Sequence, residues 1–241
     1  MDFNQEDFNI RLEWGMKGVK VLSPVSDVLI IVDILSFSTS VDIATSRGAT
    51  ILPYPYKDAT AKSYAREKEA LLAEPKRTLS QALSLSPSSL IQIASGTRLV
   101  LPSPNGSTLS FATGETPTLC GCLRNARAVA EYAMSLGSRI SVIPAGEKWE
   151  DGSLRVALED YIGAGAIISY LKGLLSPESK SSLTVFNAIE SQLSHTLKGC
   201  NSGRELIERG FEQDVLLAAD LNVSSTVPFL TNRCYTGHPT I

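Results

Sequence analysis

The alternation of hydrophobic and polar positions predicts a parallel sheet most clearly between residues 27 and 52. Val28–Val32 is a continuous apolar run rich in β-branched residues, as in strands that are buried on both faces. Residues 41–48 are typical of a short helix that ends at a glycine, and residues 50–52 begin a second strand. This stretch therefore predicts a βαβ unit with a right-handed crossover.

The same alternation continues toward the C-terminus. Short apolar runs predict further strands at residues 98–101, 118–120 and 140–143, an edge strand at 19–22 and an extended segment at 226–230. Helical periodicity and capping residues predict helices at residues 58–72, 123–136, 152–168, 176–189, 202–210 and 214–220. The stretch 74–89 is rich in Ser and Pro, which favours a surface loop.

This order of elements predicts an α/β fold, with a largely parallel or mixed sheet and helices on both faces. A chain of 241 residues can form one α/β unit over residues 1–241. A division into two lobes, at about 1–115 and 116–241 with a cleft between them, is the alternative.

Polar residues follow the predicted strands at their carboxyl ends, where open parallel sheets bind ligands. Asp33 directly follows the first strand, and the hydroxyls of Ser38, Thr39 and Ser40 come next, near a helix N-terminus that favours an anion. Asn105, Gly106 and Ser107 follow the strand at 98–101 and could form a second anion site from backbone N–H groups. An ordinary tight turn is the alternative there.

Two adjacent acids, Glu159 and Asp160, lie within the apolar stretch 152–168. Buried carboxylates require compensation by a cation, either a divalent metal ion or an arginine. Arg155 precedes Glu159 by one helical turn, so an alternative is that these two residues pair while Asp160 faces water. Glu147 is a further acid, placed shortly after the strand at 140–143.

Composition and charge exclude several classes of protein. A net charge of −3 without basic runs gives no reason to expect binding to nucleic acid. No apolar stretch reaches the length of about 18 residues that a membrane span needs. The acidic N-terminus lacks the apolar core of a signal peptide, and we expect the four cysteines to be reduced, packed thiols. These features predict a cytoplasmic protein, and they leave a homo-oligomer open.

An acid and anion-binding turns at neighbouring strand ends suggest phosphate chemistry, and several forms of it are excluded. The chain has no P-loop sequence, and Cys122 lacks the arginine that cysteine phosphatases carry at the end of a five-residue loop. Leu35 occupies the second acidic position of the Asp-x-Asp pair found in aspartyl-phosphate hydrolases. Oxygen ligands around a hard cation remain, most simply Mg²⁺.

Four places in the chain carry a resemblance to a known family. They are the strand end at 32–35 with the helix start at 38–40; Asn105-Gly106-Ser107; Leu123 with Asn125-Ala126; and Ala145-Gly146 followed by Leu158-Glu159-Asp160 and Gly163-Ala164-Gly165. In these places the chain resembles the 2-phosphosulfolactate phosphatase family. The resemblance implies a Mg²⁺-dependent acid phosphatase with an α/β fold particular to that family.

The chain departs from the family pattern in two segments. Ser36-Phe37 stands where members commonly carry an arginine, and the family's Gly-Glu-Arg segment is reduced to Ala73-Glu74-Pro75. The segment after it is reduced to residues 80–87, in which Ser86 and Pro87 survive. These departures bear on the sulfonate-bearing part of the substrate more than on the phosphate chemistry. We hypothesise that Arg124 and Arg155 supply the replacement charge.

The residues and the resemblance together suggest a mechanism. Mg²⁺ is expected on Asp33 with one or more of Glu147, Glu159 and Asp160, and either a water held by the metal or Asp33 itself attacks phosphorus. The turns at 38–40 and 105–107 hold phosphoryl oxygens, and Asn125 is expected to bind the substrate as well. Arg124 and Arg155 balance the transition-state charge. Arg204 meets a further acidic group of the substrate. Two alternatives remain: a non-catalytic phosphometabolite-binding protein, and a phosphatase for a different small phosphoester.

Overall fold

The computed structural model describes residues 3–56, 58–77 and 82–239. Its strands are β1 (Ile10–Leu12), β2 (Val28–Val32), β3 (Thr50–Tyr54), β4 (Leu71–Leu72), β5 (Arg98–Pro102), β6 (Thr118–Gly121), β7 (Ile140–Pro144), β8 (Glu147–Lys148), β9 (Leu154–Arg155), β10 (Thr226–Thr231) and β11 (Cys234–Pro239). Its helices are α1 (Gly15–Leu22), α2 (Phe37–Ser46), α3 (Ala59–Glu67), α4 (Pro87–Leu90), α5 (Gly106–Ala112), α6 (Ala126–Leu136), α7 (Leu158–Ile168), α8 (Pro177–Ile189), α9 (Leu193–Gly199), α10 (Asn201–Glu208) and α11 (Glu212–Ala219).

The described residues form a nine-stranded mixed sheet in the order β1-β7-β2-β6-β10-β11-β3-β5-β4. Pairing is parallel within two blocks, β1-β7-β2-β6 and β3-β5-β4. The antiparallel hairpin β10–β11 joins the blocks, because β10 pairs with β6 and β11 with β3, both antiparallel. The predicted α/β fold with a largely parallel or mixed sheet is therefore confirmed. The division into two lobes stays a prediction.

Helices cover both faces of the sheet, and β2 illustrates why. Its alternate residues Val28, Ile30 and Val32 pack with α6 and α7, whereas Leu29 and Ile31 pack with α1 and α5. A strand covered on both faces has no polar positions, which explains its continuous apolar sequence. No helix in the described part of the chain is long and apolar enough to cross a lipid bilayer.

Several predicted elements differ from the structure. The edge strand predicted at 19–22 is wrong: these residues end α1, whose buried residues Gly15, Gly18, Val19 and Leu22 recur at helical spacing. The helix predicted at 58–72 begins as expected, with Asp58 accepting a hydrogen bond from Thr60 N, but it ends at Glu67. Glu69 then adopts a positive φ of 49°, and residues 71–72 form a strand.

The helix predicted at 152–168 is also shorter than expected. Residues 154–155 form β9, which pairs with β8, and α7 begins at Leu158. Leu154, Val156 and Leu158 are exposed, so the apolar residues before α7 do not extend its buried face. The predicted loop at 74–89 contains the start of α4, and its residues 78–81, including Ser80 and Gln81 of the reduced family segment, lie outside the described residues.

Candidate functional site

Residues that follow β2, β5 and β7 line a cavity of about 240 Å³. Asp33 and Glu147, together with the neutral amide of Asn105, form the side that we call acidic. Lys76, Arg77 and Arg209 contribute cationic side chains. Ser36, Ser103 and Ser202 add hydroxyls. The cavity therefore lies at the edge of the sheet where parallel strands end, which is the usual ligand-binding edge of an open α/β sheet.

Asp33 is fixed in the pocket by backbone donors. Its Oδ1 accepts from Phe37 N at 3.2 Å, and its Oδ2 accepts from Gly106 N at 2.8 Å. A Cβ at Gly106 would lie 2.9 Å from Oδ2, so this close approach of the backbone requires glycine. Burial raises the pKa of Asp33, the two N–H donors oppose that shift, and the nearby charge of Glu159 adds to it.

Asp160 fixes the strand ends around Asp33. It is buried in the first turn of α7, where its Oδ1 accepts from Ile34 N at 2.7 Å and its Oδ2 accepts from Gly146 N at 2.9 Å. One carboxylate thereby holds the segments after β2 and β7 together. Burial, followed by the charges of Asp33 and Glu159, raises the pKa of Asp160 well above its usual range.

Glu147 is the partly buried acid that lines the pocket with Asp33. Its Oε2 accepts from Asn105 Nδ2 at 2.8 Å, which ties the segment after β7 to the segment after β5. Burial, and then the negative charge of Asp33, raises the pKa of Glu147 to about 7, although the bond from Asn105 lowers it. This carboxyl group can therefore change its protonation state near neutral pH.

Glu159 completes the group of four acids predicted from the sequence. It is buried at the start of α7 beside the Cys200 thiol, and its charge acts on Asp33, Glu147 and Asp160. The alternative in which Asp160 faces water is wrong, because Asp160 is buried. Arg155 does not lie on α7 but in β9, where it donates to Ser202 Oγ at 3.2 Å.

The donor chemistry of these acids fits a hard cation. Asp33 and Glu147 offer carboxylate oxygens to the same cavity, with the buried charges of Glu159 and Asp160 behind them. Across residues 3–56, 58–77 and 82–239, no three His, Cys, Asp or Glu side chains form a preassembled metal cluster. Mg²⁺ does not require one, because it is commonly bound by one or two carboxylates together with substrate phosphate and water.

The three hydroxyls predicted to bind phosphate near α2 are turned into the fold. Ser38 Oγ accepts from Asp33 N at 2.9 Å, Thr39 Oγ1 donates to Ile34 O at 2.8 Å, and Ser40 Oγ donates to Leu85 O at 3.0 Å. All three residues are fully buried. They shape the turn that carries Asp33, and Ser36 is the hydroxyl of this turn that lines the pocket.

The predicted second anion site divides in the same way. Asn105 lines the pocket and Gly106 reaches Asp33 through its backbone, whereas buried Ser107 donates to Leu101 O at 2.9 Å. Asn125 is buried as well: its Oδ1 accepts from Cys122 N, and its Nδ2 donates to Thr226 O. Asn125 thus connects the end of β6 to β10 rather than a ligand to the protein.

Two predicted arginines lie elsewhere than expected. Arg124 donates through Nε to buried Asp42 at 3.0 Å and through Nη1 to Asp220 at 3.1 Å, outside the pocket. Arg204 is exposed on α10, also outside the lining of the pocket. Arg155 is closer, since its positive charge lowers the pKa of Glu147 and its partner Ser202 lines the cavity.

The cationic residues that do line the pocket were missed by sequence reasoning. Arg77 lies in the segment read as a surface loop, and Arg209 follows α10, where it pairs with Glu205 at 2.9 Å. Arg77 pairs with Asp214 at 2.7 Å. One signal was available: Asp214 precedes Val215-Leu216-Leu217 in a predicted helix, and an acid at a buried helical position needs a cationic partner.

Comparison with known proteins identifies the family of the chain. A family model described as 2-phosphosulpholactate phosphatase matches residues 19–233. The chain is 28% identical over 220 residues to the probable 2-phosphosulfolactate phosphatase of Carboxydothermus hydrogenoformans, covering 87% of this chain and 88% of that protein. It is 28% identical over 204 residues to the 2-phosphosulfolactate phosphatase of Methanothermobacter thermautotrophicus, covering 84% and 86% of the two chains. The chain therefore belongs to the 2-phosphosulpholactate phosphatase family.

Proposed function

We propose that this protein is a Mg²⁺-dependent phosphatase that hydrolyses a small phosphorylated acid, such as 2-phosphosulfolactate, to the free hydroxy acid and phosphate. The main support for this proposal is the pocket, in which Asp33 and Glu147 line a cavity of about 240 Å³ together with Arg77. Family membership and the names of the relatives support the phosphatase activity. The size of the cavity favours a substrate with only a few carbon atoms.

Asp33 and Glu147 are the residues that would hold the magnesium ion, because both line the cavity. The excess negative charge around them, including Glu159 and Asp160, favours a divalent cation. When bound, Mg²⁺ would neutralise phosphoryl charge and polarise the phosphorus–oxygen bonds toward attack. Two carboxylates suffice for this ion when the substrate and water supply its remaining ligands.

The side chains of the pocket have different roles in hydrolysis. Asp33, held by Phe37 N and Gly106 N, either attacks phosphorus or orients the water that does so. Glu147, deprotonated as a ligand of the metal, would orient the water whose proton goes to the departing alkoxide. Asn105 keeps the Glu147 carboxylate in place through its hydrogen bond. The bond between phosphorus and the ester oxygen breaks, the oxygen of water bonds to phosphorus, and one of the two protons of that water passes to the alkoxide to give the alcohol.

A phosphate-release assay tests this function. The purified protein is incubated with 2-phosphosulfolactate and a panel of small phosphoesters, with Mg²⁺ or with EDTA. We expect release that requires Mg²⁺ and returns when Mg²⁺ is restored after EDTA. Turnover that is indifferent to EDTA would remove the metal from the mechanism. Thermal stabilisation by these esters without any turnover would favour the phosphometabolite-binding alternative, and a different preferred ester would favour the third one.

A further inference from the structure

Arg77 is held rigidly against the pocket from two sides. Its side chain is only 9% exposed, with Nη1 donating to Asp214 Oδ2 at 2.7 Å and Nη2 donating to Ser36 Oγ at 2.8 Å. Both Arg77 and Ser36 line the cavity. The guanidinium also lies 6.0 Å from the centroid of the Phe211 ring, within the range of a cation–π contact. Arg77 therefore presents a preorganised guanidinium to any ligand that enters.

Asp214 is itself anchored, so the position of Arg77 is determined deep in the fold. Its fully buried carboxylate accepts from Ser86 Oγ at 2.6 and 2.7 Å and from Ser88 N at 3.0 Å, in addition to Arg77. A guanidinium oriented in this way loses little conformational entropy when it binds an anion. The network therefore serves to orient Arg77 rather than only to neutralise it.

The same pocket also contains acids, and the charge of Arg77 is near enough to Asp33 to oppose the rise that burial causes in its pKa. Asp33 and Glu147 are suited to the metal-assisted end of a phosphoester, whereas Lys76 and Arg77 line the same cavity as cations. A substrate that carries one phosphate and no other charge would leave the guanidinium without an anionic ligand. A substrate with a second acidic group close to its phosphate could bind the metal ion held by the acids and the guanidinium of Arg77 at the same time.

We propose that Arg77 binds the second acidic group of the substrate, a carboxylate or a sulfonate, and that Asp214 is its positioning residue. This inference rests on the proposed phosphatase function and makes Arg77 the specificity-determining residue of the same pocket. Arg77 thereby takes the role predicted for Arg204, and it supplies replacement charge in place of Arg124.

The molecule contains a matched control in the pair Arg124–Asp42. As in Arg77–Asp214, the aspartate is fully buried and the arginine is mostly buried, with 15% of its side chain exposed. A lost N–H···O contact should destabilise either pair to a similar degree. Because Arg124 lies outside the cavity, a substitution there should not change the choice of substrate.

The test compares esters with and without the second acidic group. Steady-state kinetics with Mg²⁺ are measured for 2-phosphosulfolactate, 2-phospholactate and glycerol 2-phosphate, on the wild type, Arg77→Lys and Arg124→Lys. For Arg77→Lys we expect kcat/KM to fall about 10- to 100-fold on 2-phosphosulfolactate, mainly through KM, as for loss of charge-assisted hydrogen bonds. The same fall is expected on 2-phospholactate where the bound group is the carboxylate. The kcat/KM of Arg77→Lys for glycerol 2-phosphate should change by less than about threefold. Arg124→Lys should leave the ratio of kcat/KM between the esters unchanged. Comparing the two acidic esters separates a carboxylate from a sulfonate as the bound group.

Asp214→Asn tests the positioning role of Asp214 through the same ratio of kcat/KM between acidic and neutral esters. It should raise KM for the acidic esters alone, because the guanidinium remains but is no longer oriented. If this variant or Arg77→Lys does not fold, the double variant Arg77→Met/Asp214→Asn removes both charges of the pair and should show the same selective loss.

Two results would overturn the assignment. An equal loss of kcat/KM in Arg77→Lys on all three esters would place Arg77 at the transferred phosphoryl group. Wild-type kcat/KM on all three esters would show that Arg77 does not bind the substrate. If the wild type releases phosphate from no ester, the proposed function fails, and calorimetric binding of the same esters to the wild type and Arg77→Lys decides the present inference separately.

Discussion

The acidic and the cationic side of the pocket are built in different ways. Asp33, Asn105 and Glu147 each follow a strand by one to three residues, and they are fixed mostly by backbone N–H groups and by one another. Arg77 comes from an irregular segment and is fixed by the side chain of Asp214, which is 137 residues distant in the chain. The strand ends thus determine where the chemistry occurs, whereas tertiary contacts determine what else the substrate must carry.

This difference separates two requirements of an enzyme. Acids at the ends of adjacent strands come together as soon as the sheet forms, but they repel each other, and burial raises their pKa values further. The cationic side depends on helices that lie C-terminal to these strands in the sequence. Catalytic power and substrate choice should therefore respond to different substitutions.

The largest effect is expected from Asp33→Asn. Asparagine retains the shape of the side chain, but it can neither attack phosphorus nor hold a metal ion as a carboxylate does, so phosphate release should fall at least about a thousandfold. The reduction should be equal for acidic and neutral esters, since it removes the chemistry and not the recognition. Phosphate release and circular dichroism measure the two quantities.

Asp151→Asn is the control for this substitution. Asp151 is exposed and accepts from Ser153 N within its own turn, so phosphate release should be unchanged. Wild-type turnover by Asp33→Asn would contradict the role of the acidic side altogether.

A smaller effect on turnover, but the larger one on stability, is expected from Asp160→Ala. Two buried N–H groups, of Ile34 and Gly146, would lose their acceptor, and each unsatisfied buried group costs about 1–3 kcal/mol. The free energy of unfolding, measured in urea, should fall by at least that amount for one group. Stabilisation by this change would instead indicate that the carboxylate is a buried charge retained for the site at the expense of stability.

Glu147→Gln has a separate effect, on stability without added metal, that appears as a dependence on pH. Because folding raises the pKa of Glu147 from 4.5 to about 7, the folded state binds its proton more tightly than the unfolded state does. The free energy of unfolding without added metal should therefore decline between pH 4.5 and about 7, and the penalty is complete above that range. Glu147→Gln should flatten this decline.

Exposed Glu131 provides the matched substitution for the pH series. Glu131→Gln should leave the slope of unfolding free energy against pH as in the wild type. An identical slope in Glu147→Gln would show that other groups, such as Asp33 or Asp160, carry the dependence. That result would divide the acidic side into members that titrate and members that do not.

Most of the acidic side of the pocket could be predicted from the sequence, because each of these residues comes shortly after a recognisable strand. A continuous apolar strand followed by Asp33 predicted both the buried strand and the acid at its carboxyl end, and both are present. The hydroxyls were harder to place, because residue type does not reveal the direction of a side chain: Ser38 turns inward to Asp33 N, whereas Ser36 lines the cavity.

Errors arose where tertiary packing overrides a local pattern. Residues 19–22 have the β-branched character of a strand, yet burial of Val19 and Leu22 against the sheet requires a helix. Arg155 was predicted on one helix with Glu159, but pairing of β8 with β9 removes it from that helix. No local pattern distinguishes Arg77, whose partner lies in α11, from an exposed loop arginine.

The hairpin β10–β11 has a consequence for how the molecule is made. Residues 226–239 lie C-terminal to every other strand, yet they sit in the middle of the sheet between β6 and β3. A nascent chain that has reached residue 225 can assemble two parallel blocks, each with an open edge facing the other. Completion of the sheet therefore waits until residues 226–239 have been synthesised, and a chain released before this point would be prone to intermolecular strand pairing.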